Sequence, residues 1–391
     1  MLKAEEGRRL ASDLIAAAER ETGLSDWGEP SFSYPLDMLC VSFLGESGAS
    51  SQQQAVFERQ IIGHLSKRLR LYADRAAYPE IAGQAITAPL FVVGFPRSGT
   101  TILHSLLAAD PRARSPLAWE LAEPSPPPRA ETFTTDPRIA RSQAAIERLP
   151  ARFRAMHAMG ATLPDECNSI MQLNFQSLNF AASRPLPSYQ QWLLGSDAGP
   201  AFALHRHVLQ HLQAFVPRDW WVLKAPPHLF WLDQLFAAYP DARIVFTHRD
   251  PAQIMPSNSS LIAFIHEMAG NHPDPAELGR AETAKWKLGM EQAMRFRDAR
   301  PDLAARFCDV RYADLVADPL GVAAAVYDHF AIPMSAPARA AMVAFMAANP
   351  QGKHGSHSYS ASDFALDPEA IRRDFAPYIA RYLQADNGAR P

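Results

Sequence analysis

The sequence is poor in cysteine and carries no excess of charge of either sign. Three cysteines, Cys40, Cys167 and Cys308, lie far apart and show no metal-ligand spacing. This usage argues against a disulfide framework and is typical of a reducing compartment. Lysine and arginine number 38 against 41 aspartates and glutamates, for a net charge of −3. With no basic field over the molecule, nucleic acid is not expected as a partner.

Long apolar runs are also missing. No stretch approaches the roughly 20 apolar residues of a transmembrane helix, and the N-terminal sequence MLKAEEGRRLASDL is too charged for a signal peptide. We therefore expect a cytoplasmic protein without stable membrane insertion. A length of 391 residues allows one large α/β domain plus an appended part. We assign residues 1–86 to an N-terminal helical region, a possible homodimer surface, and residues 87–391 to the main domain.

The most informative stretch is LFVVGFPRSGTTILHSLLAADP, at residues 90–111. Its apolar start indicates a buried strand, its glycine-containing centre a tight loop, and its end an amphipathic helix. A loop between a strand and a helix N-terminus gathers unpaired backbone N–H groups at the positive end of the helix dipole. The stretch therefore predicts a binding site for phosphate or sulfate.

The loop departs from the P-loop of nucleotide hydrolases at one important position. Gly94, Gly99 and Thr101 match the pattern G-x-x-x-x-G-K-S/T, but Thr100 occupies the place of the lysine. The cation lies within the loop instead, as Arg97, which can bind an anionic group bidentately without a metal. A kinase using ATP and Mg²⁺ is therefore disfavoured but kept as an alternative. A non-catalytic module that binds adenosine phosphates is the second alternative.

The segment GFPRSGTT resembles the loop that holds the 5′-phosphosulfate of 3′-phosphoadenosine 5′-phosphosulfate (PAPS) in PAPS-dependent sulfotransferases. Its Pro-Arg-Ser-Gly-Thr-Thr form is similar to that of tyrosylprotein sulfotransferases and of a bacterial branch of the family. The resemblance implies a P-loop-like three-layer α/β/α fold with a central parallel sheet. It also implies transfer of a sulfuryl group from PAPS to an acceptor hydroxyl, without a metal and with adenosine 3′,5′-bisphosphate (PAP) as product. The donor-binding residues implied in this loop are Arg97, Ser98, Gly99, Thr100 and Thr101.

A second anion site is indicated farther along the chain. A predicted buried strand at 244–247 is followed by Arg249, and Ser257 comes eight residues later. In sulfotransferases an arginine and a serine at this spacing bind the 3′-phosphate of PAPS, a fitting receptor for that group. Two anion sites at strand ends suit one nucleotide lying across the carboxyl edge of a parallel sheet. The resemblance further implies that Tyr312 contacts the adenine of the donor. It also implies that a closing loop contacts the 3′-phosphate through Lys353, His354 and Gly355.

Three residues are candidates for the base that takes the acceptor proton, which must lie within hydrogen-bond reach. Glu120 is similar in place to the catalytic glutamate of the tyrosylprotein enzymes. Glu166 belongs to a Pro-Asp-Glu-Cys motif resembling one in the bacterial branch, although acidic residues are favoured in a first helical turn by the dipole alone. His228 could transfer a proton near neutral pH. The resemblance also implies that Lys224, after a predicted strand, stabilises the transferring sulfuryl group together with Arg97.

The acceptor is the least defined part of the prediction. Apolar and aromatic residues between positions 171 and 236 favour a phenol, sterol or lipid alcohol over a polyanionic sugar. His207 and His211 have the i, i+4 spacing of metal ligands on a predicted helix, but no third ligand is evident in the sequence. We therefore predict a small hydrophobic hydroxyl acceptor and no metal site.

Overall fold

A five-stranded parallel sheet forms the centre of the computed structural model, which describes residues 2–156, 159–349 and 359–384. The strands are β1 (Leu90–Gly94), β2 (Ala113–Arg114), β3 (Trp220–Lys224), β4 (Arg243–His248) and β5 (Phe307–Arg311). Their order in the sheet is β2-β3-β1-β4-β5, and every neighbouring pair is parallel. The strand that precedes the anion-binding loop is therefore central, with β3 and β4 on its two sides.

Helices account for most of the remaining chain. They are α1 (Leu2–Thr22), α2 (Ser33–Glu46), α3 (Ser51–Ala77), α4 (Thr100–Ala108), α5 (Ala118–Ala122), α6 (Pro137–Glu147), α7 (Ala151–Met156), α8 (Cys167–Met171), α9 (Asn179–Ala182), α10 (Pro187–Gly195), α11 (Gly199–Gln213), α12 (Leu232–Ala238), α13 (Pro251–Met268), α14 (Pro275–Ala299), α15 (Tyr312–Ala317), α16 (Pro319–His329), α17 (Ala336–Ala348), α18 (Pro368–Asp374) and α19 (Ala376–Tyr382). Within the described ranges, none of them is both long enough and apolar enough to cross a bilayer.

The sheet is covered on both faces, as a three-layer fold requires. Successive side chains of a strand point to opposite faces. In β1, Leu90 and Val92 belong to one buried cluster, which includes residues of α4, α16 and α17. Phe91 and Val93 belong to another, which includes residues of α11, α12 and α14. The predicted α/β/α architecture with a central parallel sheet is confirmed.

The N-terminal helices share the larger of these two clusters. Leu14, Phe43 and Phe57, from α1, α2 and α3, are buried in the same cluster as Phe91 of the sheet. Arg68 of α3, fully buried, strengthens the connection by donating to the Asn174 side chain at 2.9 Å. The N-terminal region is thus helical and packs on the main body through a continuous core, and a domain boundary at residue 86 stays a prediction.

Three helices differ from what the sequence predicts. The glycine, tryptophan and proline residues after residue 20 predict a linker, yet Ser33–Glu46 form α2. The sequence predicts one helix over 137–160, which is divided into α6 and α7, since Pro150 disfavours helical geometry at the residue before it. Pro256 predicts a kink or a later helix start, but α13 already begins at Pro251 and continues through Pro256, so the later start is wrong.

Candidate active site

The anion-binding loop is held in its shape by two glycines, Gly94 at the end of β1 and Gly99 directly before α4. Gly94 has φ of 143°, and a Cβ there would lie 2.3 Å from Thr247 Oγ1 of β4. Gly99 has φ of 90°, a left-handed value that favours glycine, and a Cβ there would lie 3.0 Å from the Tyr312 ring. The buried Ser98 hydroxyl donates to the Phe95 carbonyl oxygen at 2.5 Å. The Ser98 side chain therefore supports the loop from inside, while Thr100 and Thr101 open α4 as predicted.

Four side chains predicted to bind the donor come together beside this loop. The Arg97 Nε donates to Ser257 Oγ at 3.1 Å, and Arg249 Nη1 donates to the Arg97 carbonyl oxygen at 2.8 Å. The Arg249 guanidinium also lies 4.1 Å from the centre of the Tyr312 ring. Burial is the main cause that lowers the pKa of Arg97, and the positive charge of Arg249 lowers it further. Two guanidinium groups at the same loop suit an anion that bears more than one charge.

Lys224 connects the loop helix to the Pro-Asp-Glu-Cys segment. It ends β3 and pairs in register with Val92 of β1, so its buried side chain emerges at the carboxyl edge of the sheet. The ammonium donates to Thr101 Oγ1 at 3.3 Å and to Glu166 Oε1. Glu166 precedes α8, and Asn168 donates to its second oxygen at 3.2 Å. A cation and a carboxylate thus lie side by side at the start of the loop helix.

Glu120 is buried elsewhere in an ion pair with Arg114. Its side chain is 0% exposed and that of Arg114 is 4% exposed. Arg114 donates to both carboxylate oxygens, and the Leu117 backbone N–H donates to one of them at 2.9 Å. The Glu120 carboxylate is paired with Arg114 and has no exposed surface, so an acceptor hydroxyl cannot reach it. The geometry therefore disfavours Glu120 as the base. The sequence does not show this, because nothing in it indicates that Glu120 and Arg114 form an ion pair.

His228 is enclosed by aromatic rings. Its ring centre lies 5.6 Å from that of Phe91 and 5.0 Å from that of Phe202. Burial is the main cause that lowers its pKa well below the usual value, with the neighbouring His205 adding to the effect. His228 does not line the cavity that Glu166 borders. The structure thus does not bring His228 to the predicted site of proton transfer.

The closing loop predicted to contact the 3′-phosphate of the donor cannot be compared in the same way. Its residues Lys353, His354 and Gly355 lie outside the part of the chain that the structure describes.

A cavity of about 420 Å³ borders the Glu166 carboxylate. Pro96 of the anion-binding loop and Pro227 after β3 also line it, so it adjoins the site of the predicted chemistry. Most of its remaining wall is apolar: Ile146, Phe153, Leu178, Leu261, Ile262 and Ile265. A cavity of this size and composition is suited to an apolar small molecule or to one end of a longer one.

One polar cluster interrupts the apolar wall. Glu282 and Lys285 of α14 line the cavity together with Asn258, which follows Ser257 on α13. Lys285 donates to Glu282 Oε1 at 2.5 Å, and Asn258 Nδ2 donates to Glu282 Oε2 at 2.7 Å. Sequence reasoning missed this cluster because an i, i+3 pair of opposite charges resembles an ordinary surface pair. The large apolar side chain of the neighbouring Trp286 could have indicated that this face of α14 is buried. In the structure the Trp286 indole N–H donates to Glu282 at 3.2 Å.

Comparison with known proteins agrees with this arrangement. The sequence model of the sulfotransferase family matches residues 89–336. The crystal structure of sulfotransferase STF1 from Mycobacterium tuberculosis H37Rv superposes with a TM-score of 0.81 at 34% identity, covering 94% of this chain and 98% of that one. The crystal structure of sulfotransferase STF9 from Mycobacterium avium superposes with a TM-score of 0.86 at 26% identity. The match covers 97% of this chain and 98% of that one. The chain belongs to the sulfotransferase family.

A curated relative is similar over a shorter range. The omega-hydroxy-beta-dihydromenaquinone-9 sulfotransferase Stf3 of Mycobacterium bovis is 28% identical over 257 residues, which cover 62% of this chain. The protein of that name from Mycobacterium tuberculosis matches to the same extent. The chain spans 63% of the length of these relatives. The predicted family and its bacterial branch are confirmed, whereas the roles of individual residues stay predictions.

Proposed function

We propose that this protein transfers a sulfuryl group from PAPS to the hydroxyl of an apolar acceptor. The observation that carries the proposal is the convergence of Arg97, Arg249 and Ser257 at a loop bordered by the Lys224–Glu166 pair. The first three side chains suit the phosphates of PAPS, and Tyr312 suits its adenine. The reducing, cytoplasmic location predicted from the sequence fits three free, buried cysteines.

The residues of the chain divide the chemistry between them. Lys224 and Arg97 stabilise negative charge on the sulfuryl oxygens and on the departing phosphate oxygen. Glu166 accepts the acceptor proton as the acceptor oxygen attacks sulfur. One sulfur–oxygen bond forms to the acceptor, the bond between sulfur and the phosphate oxygen breaks, and PAP is released. No step in this scheme requires a bound metal.

The acceptor class follows from the cavity. Its apolar wall favours a lipid alcohol, and a curated relative is named for an ω-hydroxylated menaquinone derivative. We propose an acceptor of the same general kind: a terminal hydroxyl on an apolar chain that fills the cavity. Lys285 has more N–H groups than its single Glu282 contact uses. Lys285 lines a cavity that also contains acidic side chains, which disfavour a negatively charged acceptor. The remaining N–H groups of Lys285 therefore bind a neutral oxygen of the acceptor.

Calorimetric titration with PAP tests the donor site. We expect the wild type to bind PAP more tightly than ATP with Mg²⁺, because Thr100 replaces the P-loop lysine. Arg249→Ala should weaken PAP binding by about 10- to 100-fold, which corresponds to the loss of hydrogen bonds to a charged group worth roughly 1.5–3 kcal/mol. The exposed Arg295 provides the control Arg295→Ala, which should bind normally. Preference for ATP would instead support the kinase, and PAP binding without turnover of any acceptor would support the binding module.

Replacement of Lys285 tests the acceptor site. Lys285→Met should raise KM by about tenfold for a hydroxylated ketone or quinone, in proportion to one lost hydrogen bond of about 1–1.5 kcal/mol. KM for an alkanol of similar length and kcat for both acceptors should change little. Steady-state kinetics with PAPS and such a matched pair of alcohols measures both parameters. Equal losses for both acceptors would contradict recognition of the second oxygen.

A further inference from the structure

A cysteine and two histidines meet inside the protein, directly behind the Lys224–Glu166 pair. Cys167 begins α8, His205 lies in α11, and His228 lies in the turn that follows β3. The Cys167 sulfur and one ring nitrogen of each histidine all lie within 4.8 Å of one another. The three residues are at most 1% exposed. Three separate segments of the chain thus bring potential metal ligands to one buried point.

Three of the four imidazole nitrogens of this cluster lack hydrogen-bond partners. His205 Nδ1 pairs with the Tyr239 hydroxyl at 2.7 Å, but its Nε2 has no partner, and neither ring nitrogen of His228 has one. Burial of an unpaired polar group costs on the order of 1–3 kcal/mol, so such groups call for an explanation. His64 is another buried histidine with unpaired nitrogens. Among the residues that the structure describes, however, only the Cys167 cluster combines three potential ligands in this way.

The separations are compatible with a metal after a small contraction. The centre of an equilateral triangle with 4.8 Å sides lies about 2.8 Å from each corner, whereas zinc bonds measure about 2.0–2.3 Å. Each donor atom would therefore move by roughly half an ångström. Tyr239 supplies the hydrogen bond that usually orients a metal-bound imidazole. If His205 Nδ1–H donates to the Tyr239 oxygen, the lone pair of Nε2 is left to face the cluster.

We propose that Cys167, His205 and His228 bind a Zn²⁺ ion. One thiolate and two neutral imidazoles are a donor set that zinc takes readily, and binding would release one proton from the Cys167 thiol. The ion would not contact the sulfuryl group. It would join α8, α11 and the turn after β3, which are the segments next to Glu166 and Lys224. This site does not depend on the proposed reaction.

The sequence alone did not indicate this site. The only spacing it offered was that of His207 and His211, which we did not take as a metal site. In the structure these two have separate partners: His207 Nδ1 pairs with the Tyr72 hydroxyl and His211 Nε2 donates to the Pro124 carbonyl oxygen. The ligands found here are 38 and 23 residues apart along the chain, between Cys167 and His205 and between His205 and His228. Only the packing of α8 against α11 and the sheet brings them together.

Elemental analysis of the full chain, purified without a metal-affinity step and incubated with ZnCl₂ before desalting, tests the proposal. We expect about one zinc per wild-type chain, because the three ligand atoms converge on one point. Cys167→Ser and His228→Asn should lose most of that zinc. Cys40→Ser and His64→Asn, which replace a buried cysteine and a buried histidine outside the cluster, should retain it. Zinc far below one equivalent in the wild type, or equal zinc in all five proteins, would overturn the proposal.

Cobalt substitution keeps the test independent of whether the variants fold. Wild-type protein loaded with Co²⁺ should show a thiolate-to-metal charge-transfer band in the near ultraviolet. Removal of the metal should lower the unfolding temperature, because a metal that binds only the native state stabilises it. Absence of the thiolate band from cobalt-treated wild type would count against the site. Neither readout involves PAPS or an acceptor, so the outcome is separate from that of the proposed function.

Discussion

Glu166→Gln is expected to slow sulfuryl transfer by about 10²- to 10⁴-fold, the usual contribution of a general base. Glutamine keeps the shape of the side chain but cannot accept the acceptor proton. PAP should bind nearly as well as to the wild type, because the Arg97, Arg249 and Ser257 contacts do not involve Glu166. Single-turnover measurement with PAPS and a saturating lipid alcohol isolates the chemical step from product release.

Two controls make that result specific. PAP titration shows whether the variant is folded, since Glu166 also pairs with the buried Lys224. Glu291→Gln changes a half-exposed glutamate on α14 and should transfer at the wild-type rate. Unchanged single-turnover kinetics in Glu166→Gln would exclude Glu166 as the base and direct attention back to Glu120 and His228.

Glu120→Ala is expected to lower the free energy of unfolding by about 3–5 kcal/mol, the cost of leaving one partner of a buried ion pair alone. Arg114 would remain as a nearly buried guanidinium without its carboxylate. The Leu117 N–H would also lose its acceptor. Urea denaturation followed by tryptophan fluorescence measures the change through the transition midpoint.

The matched control for this change is Glu123→Ala. Glu123 pairs with Arg141 in a bridge whose two side chains are 43% and 55% exposed, so its loss should cost about 0–1 kcal/mol. We expect Glu120→Ala, where it is folded, to retain sulfuryl transfer. Wild-type stability combined with loss of transfer would identify Glu120 as the base and contradict the structural role.

Several features of this protein could be determined from local sequence. The strand, loop and helix around residues 90–111 depend on hydrophobic periodicity and on backbone hydrogen bonds between near neighbours. The same is true of α13, whose Asp250 caps the helix by accepting from the Ala252 N–H at 2.9 Å, with Pro251 in the first turn. The position of Arg97 in the loop and the absence of the P-loop lysine can likewise be read directly from the sequence. These local features sufficed for the fold class and for the family.

The tertiary structure decided how distant residues combine. The sequence left Glu120 and Glu166 open as the base, with His228 third, since each is a proton acceptor near a recognisable motif. Packing buries Glu120 against Arg114 and encloses His228 in aromatic rings, whereas Glu166 lies beside Lys224 at the cavity. Local periodicity carries no information about such pairings. They depend on which helices cross at the edge of the sheet, and that geometry also creates the Cys167 cluster and the buried Glu282–Lys285 pair.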